Sequence, residues 1–67
     1  METLGARIKT LRKEKGLTQP QLAEIIGVSK GVISFWENGV NEPKASYVKT
    51  LAQILGVSAD YLLGLED

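Results

Sequence analysis

Apolar residues recur every three or four positions along most of the chain, and glycines separate the segments that show this spacing. The spacing predicts amphipathic helices, and a glycine after the last apolar position commonly ends a helix. No segment alternates apolar and polar residues as a half-buried strand would. We therefore expect an all-α fold, a compact bundle of five short helices. The apolar positions of the five are Leu4, Ile8 and Leu11; Leu22, Ala23 and Ile26; Val32, Ile33 and Trp36; Ala45, Val48, Leu51, Ala52 and Leu55; and Tyr61, Leu62 and Leu63.

Residues that cap helices stand where the second, third and fifth helices are predicted to begin. Thr18 is followed three residues later by Gln21, which is the capping-box pattern, and Pro20 lies in the first turn, where no N–H partner is lost. Ser29 and Ser58 precede the third and fifth helices. These caps fix the boundaries of the predicted helices more firmly than apolar spacing does.

The segment 18–38 joins two predicted helices by a very short turn. The second helix ends at Gly27, and only Val28 and Ser29 precede the third. So short a connection makes the two helices cross steeply, which needs a small residue at the crossing and a left-handed residue in the turn. Ala23 and Gly27 meet these needs. The segment therefore predicts a helix-turn-helix, although each residue alone would also fit an ordinary helical bundle.

Length and composition bound the possible functions. A chain of 67 residues forms one domain, and its 43% apolar residues must supply the core. It contains no His or Cys, so it has no disulfide, no Cys/His zinc site, no histidine base and no thiol nucleophile. It also lacks a glycine-rich phosphate loop. We expect no enzymatic activity, no cofactor or metal, and no small-molecule substrate.

Charge is balanced over the chain but uneven along it. Eight basic residues match eight acidic ones, yet residues 1–30 carry six basic and three acidic side chains while residues 31–67 carry two and five. The basic amino-terminal half is compatible with a nucleic-acid surface. No apolar run is long enough for a membrane span, and the first residues lack the features of a secretory signal, so we expect a soluble, cytoplasmic protein without membrane contact.

From about Ile8 to Leu63 the sequence resembles the phage lambda and P22 repressor and Cro family of helix-turn-helix proteins, the XRE-type transcriptional regulators. The shared runs are Gly16-Leu17-Thr18-Gln19, Leu22-Ala23-Glu24, Gly27-Val28-Ser29, Ile33-Ser34, Trp36-Glu37-Asn38-Gly39, Pro43, Leu55-Gly56-Val57-Ser58 and Asp60-Tyr61-Leu62-Leu63. The resemblance implies sequence-specific binding of double-stranded DNA, with the third helix in the major groove.

The resemblance also implies roles for individual residues. The base-contacting positions are Lys30, Gly31, Ser34, Phe35 and Gln19. In the family, the residue at the place of Gln19 also supports the third helix, which is called the recognition helix because it reads the DNA sequence. The backbone-contacting positions are Thr18, Ser29, Asn38, Asn41 and Lys44. In the family, an arginine in the first helix pairs with a glutamate at the end of the third. Arg12 and Glu37 occupy these places, and their pairing would neutralise a carboxylate that DNA otherwise repels.

Three residues depart from the family pattern on the groove face. Gly31 and Phe35 stand where polar residues are usual, and Val40 stands where a lysine or arginine is common. Phe35 could pack on a thymine methyl, turn back onto the protein or meet another chain, and the sequence leaves these alternatives open. Together with Ile25 on the second helix and the neutral net charge, these departures favour an alternative function as a protein-interaction module or antitoxin on the same fold.

The carboxyl-terminal residues provide a candidate dimer surface. One recognition helix reads only a few base pairs, so we expect a homodimer that assembles on a palindromic operator. Tyr61, Leu63 and Leu65 are the candidate contacts, because the last helix is too short to bury every apolar residue near it. The family often continues from here into a dimerising domain, and we expect the chain to be the first part of a longer regulator.

Overall fold

The computed structural model describes residues 2–66, which form five α-helices and no strand. The helices are α1 (Leu4–Glu14), α2 (Gln19–Ile26), α3 (Lys30–Glu37), α4 (Ala45–Leu55) and α5 (Ala59–Leu63). The predicted all-α bundle is therefore confirmed. None of the helices in residues 2–66 is long and apolar enough to cross a membrane.

The turn between α2 and α3 forms as its residues require. The Thr18 hydroxyl accepts from the Gln21 N–H at 3.2 Å, and the Gln21 side chain accepts from the Thr18 N–H at 2.8 Å, which completes the capping box. Gly27 ends α2 with a φ of +88°, a conformation that costs glycine nothing. The Ser29 hydroxyl then accepts from the Val32 N–H at 3.3 Å and begins α3. These local bonds set the angle at which α3 leaves α2.

One apolar core joins all five helices. Its fully buried side chains are Ile8, Leu22, Ile33, Leu51 and Leu62, one from each helix. Trp36 and Leu55 are buried beside them. Four of the five apolar positions predicted on one face of α4 are buried, and the fifth, Ala45, is exposed and borders an open groove.

Helices α1 and α3 approach so closely that only glycine fits between them. Gly5 is buried in α1, and a Cβ atom there would lie 2.1 Å from the carbonyl oxygen of Trp36 and 2.8 Å from that of Glu37. Both contacts are with backbone atoms, which cannot move aside as a flexible side chain can. The sequence prediction did not single out Gly5. The sequence did contain an indication of this close contact, because a glycine inside a helix is usually unfavourable and needs a reason.

Gly5→Ala should therefore lower the free energy of unfolding by about 1–3 kcal/mol or more, because α1 must move away from α3 to relieve the clash. Gly31→Ala is the matched control. A Cβ at Gly31 meets only the Ser29 hydroxyl, at 3.8 Å. The same substitution there should leave the free energy of unfolding unchanged or raise it by up to about 1 kcal/mol, because alanine has the higher helix propensity. Urea unfolding measures both changes. A Gly5→Ala variant as stable as the parent chain would contradict the packing described above.

Candidate nucleic-acid interface

Helix α3 presents one face to solvent and buries the opposite one. Ile33 and Trp36 are 0% and 4% exposed and anchor α3 in the core. On the outer face, Lys30 and Phe35 are exposed and Ser34 is half-buried. The positions of α3 for which the resemblance implies base contacts thus lie on the solvent side of the helix, opposite the residues that pack in the core.

A buried ion pair fixes the carboxyl-terminal end of α3. Arg12 Nε donates to Glu37 Oε2 at 2.7 Å and Arg12 Nη2 donates to Glu37 Oε1 at 3.1 Å, with the two side chains only 8% and 1% exposed. Arg12 Nη1 donates to the Leu17 carbonyl at 2.8 Å, so the same guanidinium also fastens the turn between α1 and α2. The hydrogen bond to Glu37 raises the pKa of Arg12 above its ordinary value. The guanidinium of Arg12 therefore keeps its positive charge throughout the pH range in which proteins work.

Gln19, the first residue of α2, contacts the same carboxylate. Its Nε2 donates to Glu37 Oε1 at 3.1 Å, so the amide braces the recognition helix at its carboxyl-terminal end. Glu37 accepts three hydrogen bonds in total, from two side chains on two other helices. The network joins α1, α2 and α3 at a single point beside the exposed face.

The two predicted cap residues at the helix starts keep a free donor. The hydroxyl oxygens of Thr18 and Ser29 each accept from a backbone N–H, which leaves their O–H protons able to donate to another acceptor. Ser34 and Asn38 contact each other, since Asn38 Nδ2 donates to Ser34 Oγ at 3.3 Å. The Ser34 hydroxyl proton is thereby directed away from Asn38.

The loop after α3 contributes Asn41 and Lys44, which are both exposed. The Lys44 Nζ lies 5.6 Å from the ring centroid of Tyr47, and the Tyr47 ring packs against Trp36 with centroids 5.3 Å apart. The Tyr47 ring therefore lies between the loop lysine and Trp36 of α3. Sequence reasoning missed Tyr47, whose only signal was an aromatic ring three residues after a lysine.

The carboxyl-terminal candidates divide into two groups. Leu63 and Leu65 are 51% and 73% exposed, as expected for residues that the short α5 cannot bury. Tyr61 is half-buried instead: the guanidinium of Arg7 lies over its ring at 4.4 Å, and Arg7 Nη1 donates to the Tyr61 carbonyl at 3.0 Å. One face of the Tyr61 ring is therefore occupied within the chain. Arg7 was not anticipated, because nothing in its local sequence points to α5.

An apolar groove of about 570 Å³ runs between α4 and α5 next to these residues. Val48, Ala52, Val57 and Leu63 contribute to its walls, and Lys49 lies at its margin. The groove continues the exposed surface that Leu63 begins. It lies on a different face from Lys30 and Phe35, since none of the α3 residues lines it.

The family model that describes the helix-turn-helix matches residues 8–62, which is most of the chain. The chain belongs to the helix-turn-helix family. The matched residues of this helix-turn-helix protein include both Arg12 and Glu37 and the whole of α2 and α3.

Known relatives give the same family. The chain is 41% identical over 61 residues to the uncharacterized HTH-type transcriptional regulator YobD of Bacillus subtilis, matching 91% of this chain and 54% of YobD. It is 34% identical over 61 residues to the antitoxin PezA of Streptococcus pneumoniae, with 91% and 39% of the two chains covered. This helix-turn-helix chain thus spans about half, or less, of the length of these relatives.

A solved structure agrees with the fold over nearly every residue. The P22 c2 repressor, crystallised with a synthetic operator, superposes with a TM-score of 0.91 at 35% identity, covering 98% of this chain and 100% of that one. The predicted resemblance to the phage repressors is confirmed. The relatives also include a phage immunity repressor, from Bacillus phage phi105.

Breaking the Arg12–Glu37 pair should destabilise the fold strongly. Glu37→Leu leaves a buried guanidinium without its carboxylate and should cost about 3–5 kcal/mol, as should Arg12→Met for the opposite charge. The double variant Arg12→Met with Glu37→Leu should lose much less than the sum, because neither charge remains buried. Urea unfolding of the four proteins gives the coupling free energy.

Glu37→Gln is the milder control, since it keeps the shape of the side chain and one acceptor oxygen, while it removes the charge and turns the other acceptor into an NH2 donor. Its loss should fall between the parent chain and Glu37→Leu. Additive losses in the double variant would show that the two charges act independently despite the 2.7 Å contact.

Proposed function

We propose that this chain is the DNA-binding domain of a transcriptional regulator, spanning residues 1–67 with its helix-turn-helix at 18–38. Helix α3 enters the major groove of double-stranded DNA and reads sequence, and the domain acts as a phage repressor does. The protein works in the cytoplasm of a bacterial or phage-infected cell, where its operator is accessible. Its activity is binding alone, without catalysis, cofactor or small-molecule substrate.

The observation that carries this proposal is the rigid mounting of an exposed helix. Helix α3 is anchored on its inner side by Ile33 and Trp36 and at its end by Glu37, while its outer side is open. A groove-reading helix needs this arrangement, since its side chains must be placed to within a fraction of a hydrogen-bond length. The superposition on a repressor crystallised with its operator supports the same orientation.

Base contacts are assigned to the exposed face of α3 and to Gln19. Lys30 can donate to guanine O6 and N7, and Ser34 can donate to any base acceptor. Gln19 has its Nε2 committed to Glu37, so its Oε1 is available to accept from an adenine or cytosine amino group. Gly31 exposes bare backbone, which permits a close approach to the base edges, and Phe35 completes the face.

Contacts with the phosphate backbone are assigned to the two helix starts and the following loop. The hydroxyls of Thr18 and Ser29 donate to phosphate oxygens, aided by the Gln19 N–H at the start of α2, since Pro20 has no N–H and the Gln21 N–H donates to Thr18. Asn38, Asn41 and Lys44 extend this line past the end of α3. The resulting footprint is local, so a neutral net charge is no obstacle to it.

A second candidate function is a protein-interaction module or antitoxin. The identity to an antitoxin favours it, as does the 54% exposure of Ile25 on the outer side of α2. The two functions differ in a simple experiment. A DNA-binding domain shifts genomic fragments at low salt and keeps a preferred fragment when heparin is added, whereas an interaction module does not.

The working unit on DNA is proposed to be a homodimer on a palindromic operator. Leu63 and Leu65 provide exposed apolar contact area, and the groove between α4 and α5 lies beside them. Tyr61 contributes the part of its ring that Arg7 leaves uncovered. Because the exposed surface is small, the free domain associates weakly and pairs when DNA aligns two copies.

DNA affinity should fall steeply with salt. If each domain neutralises about three phosphates, affinity for a selected duplex should drop roughly 10- to 100-fold between about 50 and about 200 mM salt. Lys44→Ala should weaken all duplexes alike and reduce the salt slope by about one, whereas Lys30→Ala should cost about 1–3 kcal/mol on the selected duplex and relax preference at one base pair. Fluorescence anisotropy with labelled duplexes measures the affinity of the parent chain and of both variants at each salt concentration.

Lys9→Ala, on the exposed side of α1, is the control for the loss of a positive charge alone. It should change the base-pair preference less than Lys30→Ala does, and the salt dependence of the affinity less than Lys44→Ala does. Binding that does not depend on salt, or equal losses for all three lysine variants on all DNA, would contradict a reading role for α3.

Footprinting on the selected site should reveal two protected half-sites about 34 Å apart, one turn of B-DNA. Sedimentation should show the free chain as mostly monomer, and the complex should contain two chains per duplex. Leu65→Asp should reduce the cooperativity of binding while leaving the contacts of a single half-site intact. One protected half-site with one chain per duplex at saturation would refute the dimer.

A further inference from the structure

The first turn of α4 carries an aromatic ring that contacts both the core and the loop after α3. Tyr47 is half-buried, and its ring packs against the ring of Trp36, which is 4% exposed, with centroids 5.3 Å apart and an angle of 48° between the planes. The Lys44 Nζ lies 5.6 Å from the centroid of the Tyr47 ring, within the range of a cation–π contact. A ring that the core holds in place is therefore in contact with an exposed lysine.

The Tyr47 hydroxyl is free to donate. It makes no hydrogen bond within residues 2–66, and in that part of the chain the one buried side-chain polar atom without a partner is Arg7 Nε. The Tyr47 hydroxyl is therefore accessible to solvent, and a phenol O–H can donate one hydrogen bond. Because the Lys44 Nζ lies close to the ring that bears this hydroxyl, two donors share one small area of the surface.

We propose that Tyr47 is a further contact with the phosphate backbone of DNA: its hydroxyl donates to a phosphate oxygen, and its ring positions Lys44 to bind the same phosphate group. The inference rests on the proposed function, since it requires Lys44 to reach the backbone when α3 enters the groove. A phosphate suits this pair, because it is negatively charged and offers only acceptor oxygens. Tyrosine and lysine are both among the side chains that contact phosphates in protein–DNA complexes.

The ring also affects how much the lysine can contribute to binding. A lysine has a flexible four-carbon stem and loses side-chain entropy when a phosphate fixes it, which offsets part of the attraction. Contact with the Tyr47 ring restrains Lys44 before DNA is bound, so less entropy remains to be lost. Since Trp36 belongs to α3, the same stack of side chains places the phosphate contact relative to the helix that reads the bases.

Tyr47→Phe tests the hydroxyl, because it keeps the ring and its packing on Trp36. Affinity for a duplex selected from random sequence should fall about fivefold, the usual contribution of one hydrogen bond. An unselected duplex should lose the same factor, since a phosphate contact carries no sequence information. The salt slope should stay that of the parent chain, because no charge is lost. Unchanged affinity of Tyr47→Phe for both duplexes would overturn the hydroxyl contact.

Thr50→Val is the matched control for the loss of a hydroxyl from α4. The Thr50 hydroxyl donates to the Ser46 carbonyl at 3.2 Å, so its proton is already used within the chain. This variant should bind both duplexes as the parent chain does. A fivefold loss in Thr50→Val as well would show that removal of any hydroxyl from α4 weakens binding, and the assignment to Tyr47 would be refuted.

Tyr47→Leu tests the positioning of Lys44, because it removes the ring as well as the hydroxyl. Its affinity should be a further two- to fivefold below that of Tyr47→Phe, the order of an exposed cation–π contact. Tyr47→Phe and Tyr47→Leu should bind equally when each is combined with Lys44→Ala, because the ring then has no lysine to hold. A difference that persists with Lys44→Ala would be a packing effect and would refute the positioning role. Circular dichroism of each variant confirms that the fold is retained.

Neutral phosphates in the DNA locate the contact. Each phosphate of the selected duplex is replaced in turn by a methylphosphonate, which removes the charge of that group. At one phosphate per half-site the replacement should weaken binding of the parent chain, and it should have a smaller effect on both Tyr47→Phe and Lys44→Ala. If the two variants lose their sensitivity at different phosphates, a shared contact is refuted.

Failure of this inference is distinguishable from failure of the proposed function. If binding depends on salt and selects a sequence, but Tyr47→Phe responds to every methylphosphonate as the parent chain does, the Tyr47 contact is refuted while DNA reading stands. If the parent chain enriches no sequence and its binding ignores salt, the proposed function itself fails, and the inference fails with it.

Discussion

The guanidinium of Arg12 is hydrogen-bonded to two separate parts of the chain, Glu37 and the Leu17 carbonyl, and the position of α3 depends on it. It joins the last turn of α1 to Glu37 at the end of α3 and to the Leu17 carbonyl in the turn before α2. Burying two charges is costly, and an apolar pair of similar size would often give equal or greater stability. The value of the pair is geometric, because a bidentate contact with fixed distances permits only one tilt of α3 relative to α1, whereas an apolar contact would permit several.

The contact between Arg12 and Glu37 also neutralises a negative charge beside the exposed face of α3. A free carboxylate at the end of α3 would repel a phosphate backbone. Glu37 instead has both oxygens bonded to donors, from Arg12 and Gln19, and its side chain is 1% exposed. The carboxylate at the end of α3 is thus buried and neutralised within the chain. This explains how a chain of zero net charge can offer a local surface suited to an anion.

Local sequence signals predicted the helices well, since caps and apolar spacing act over only a few residues. The capping box at Thr18 and the left-handed Gly27 form as their chemistry requires. Contacts between distant segments were harder to predict: Gly5, Arg7 and Tyr47 each act on a partner far along the chain, and only a tertiary structure brings them together. The pairing of Arg12 with Glu37 was anticipated only through the family resemblance. The DNA-contacting roles remain predictions that binding experiments must test.

The division of α3 into an anchored side and an open side explains why its outer residues can differ from those of relatives. The groups that fix its tilt all lie on the inner side or at its end, namely Ile33, Trp36 and Glu37. Substitution at Gly31 or Phe35 disturbs none of these contacts, so the outer face can change while the orientation of the helix is kept. A glycine and an exposed aromatic ring would be unfavourable choices for stability alone. Their presence on the outer face of α3, which the core contacts leave unconstrained, is therefore attributed to what that face binds.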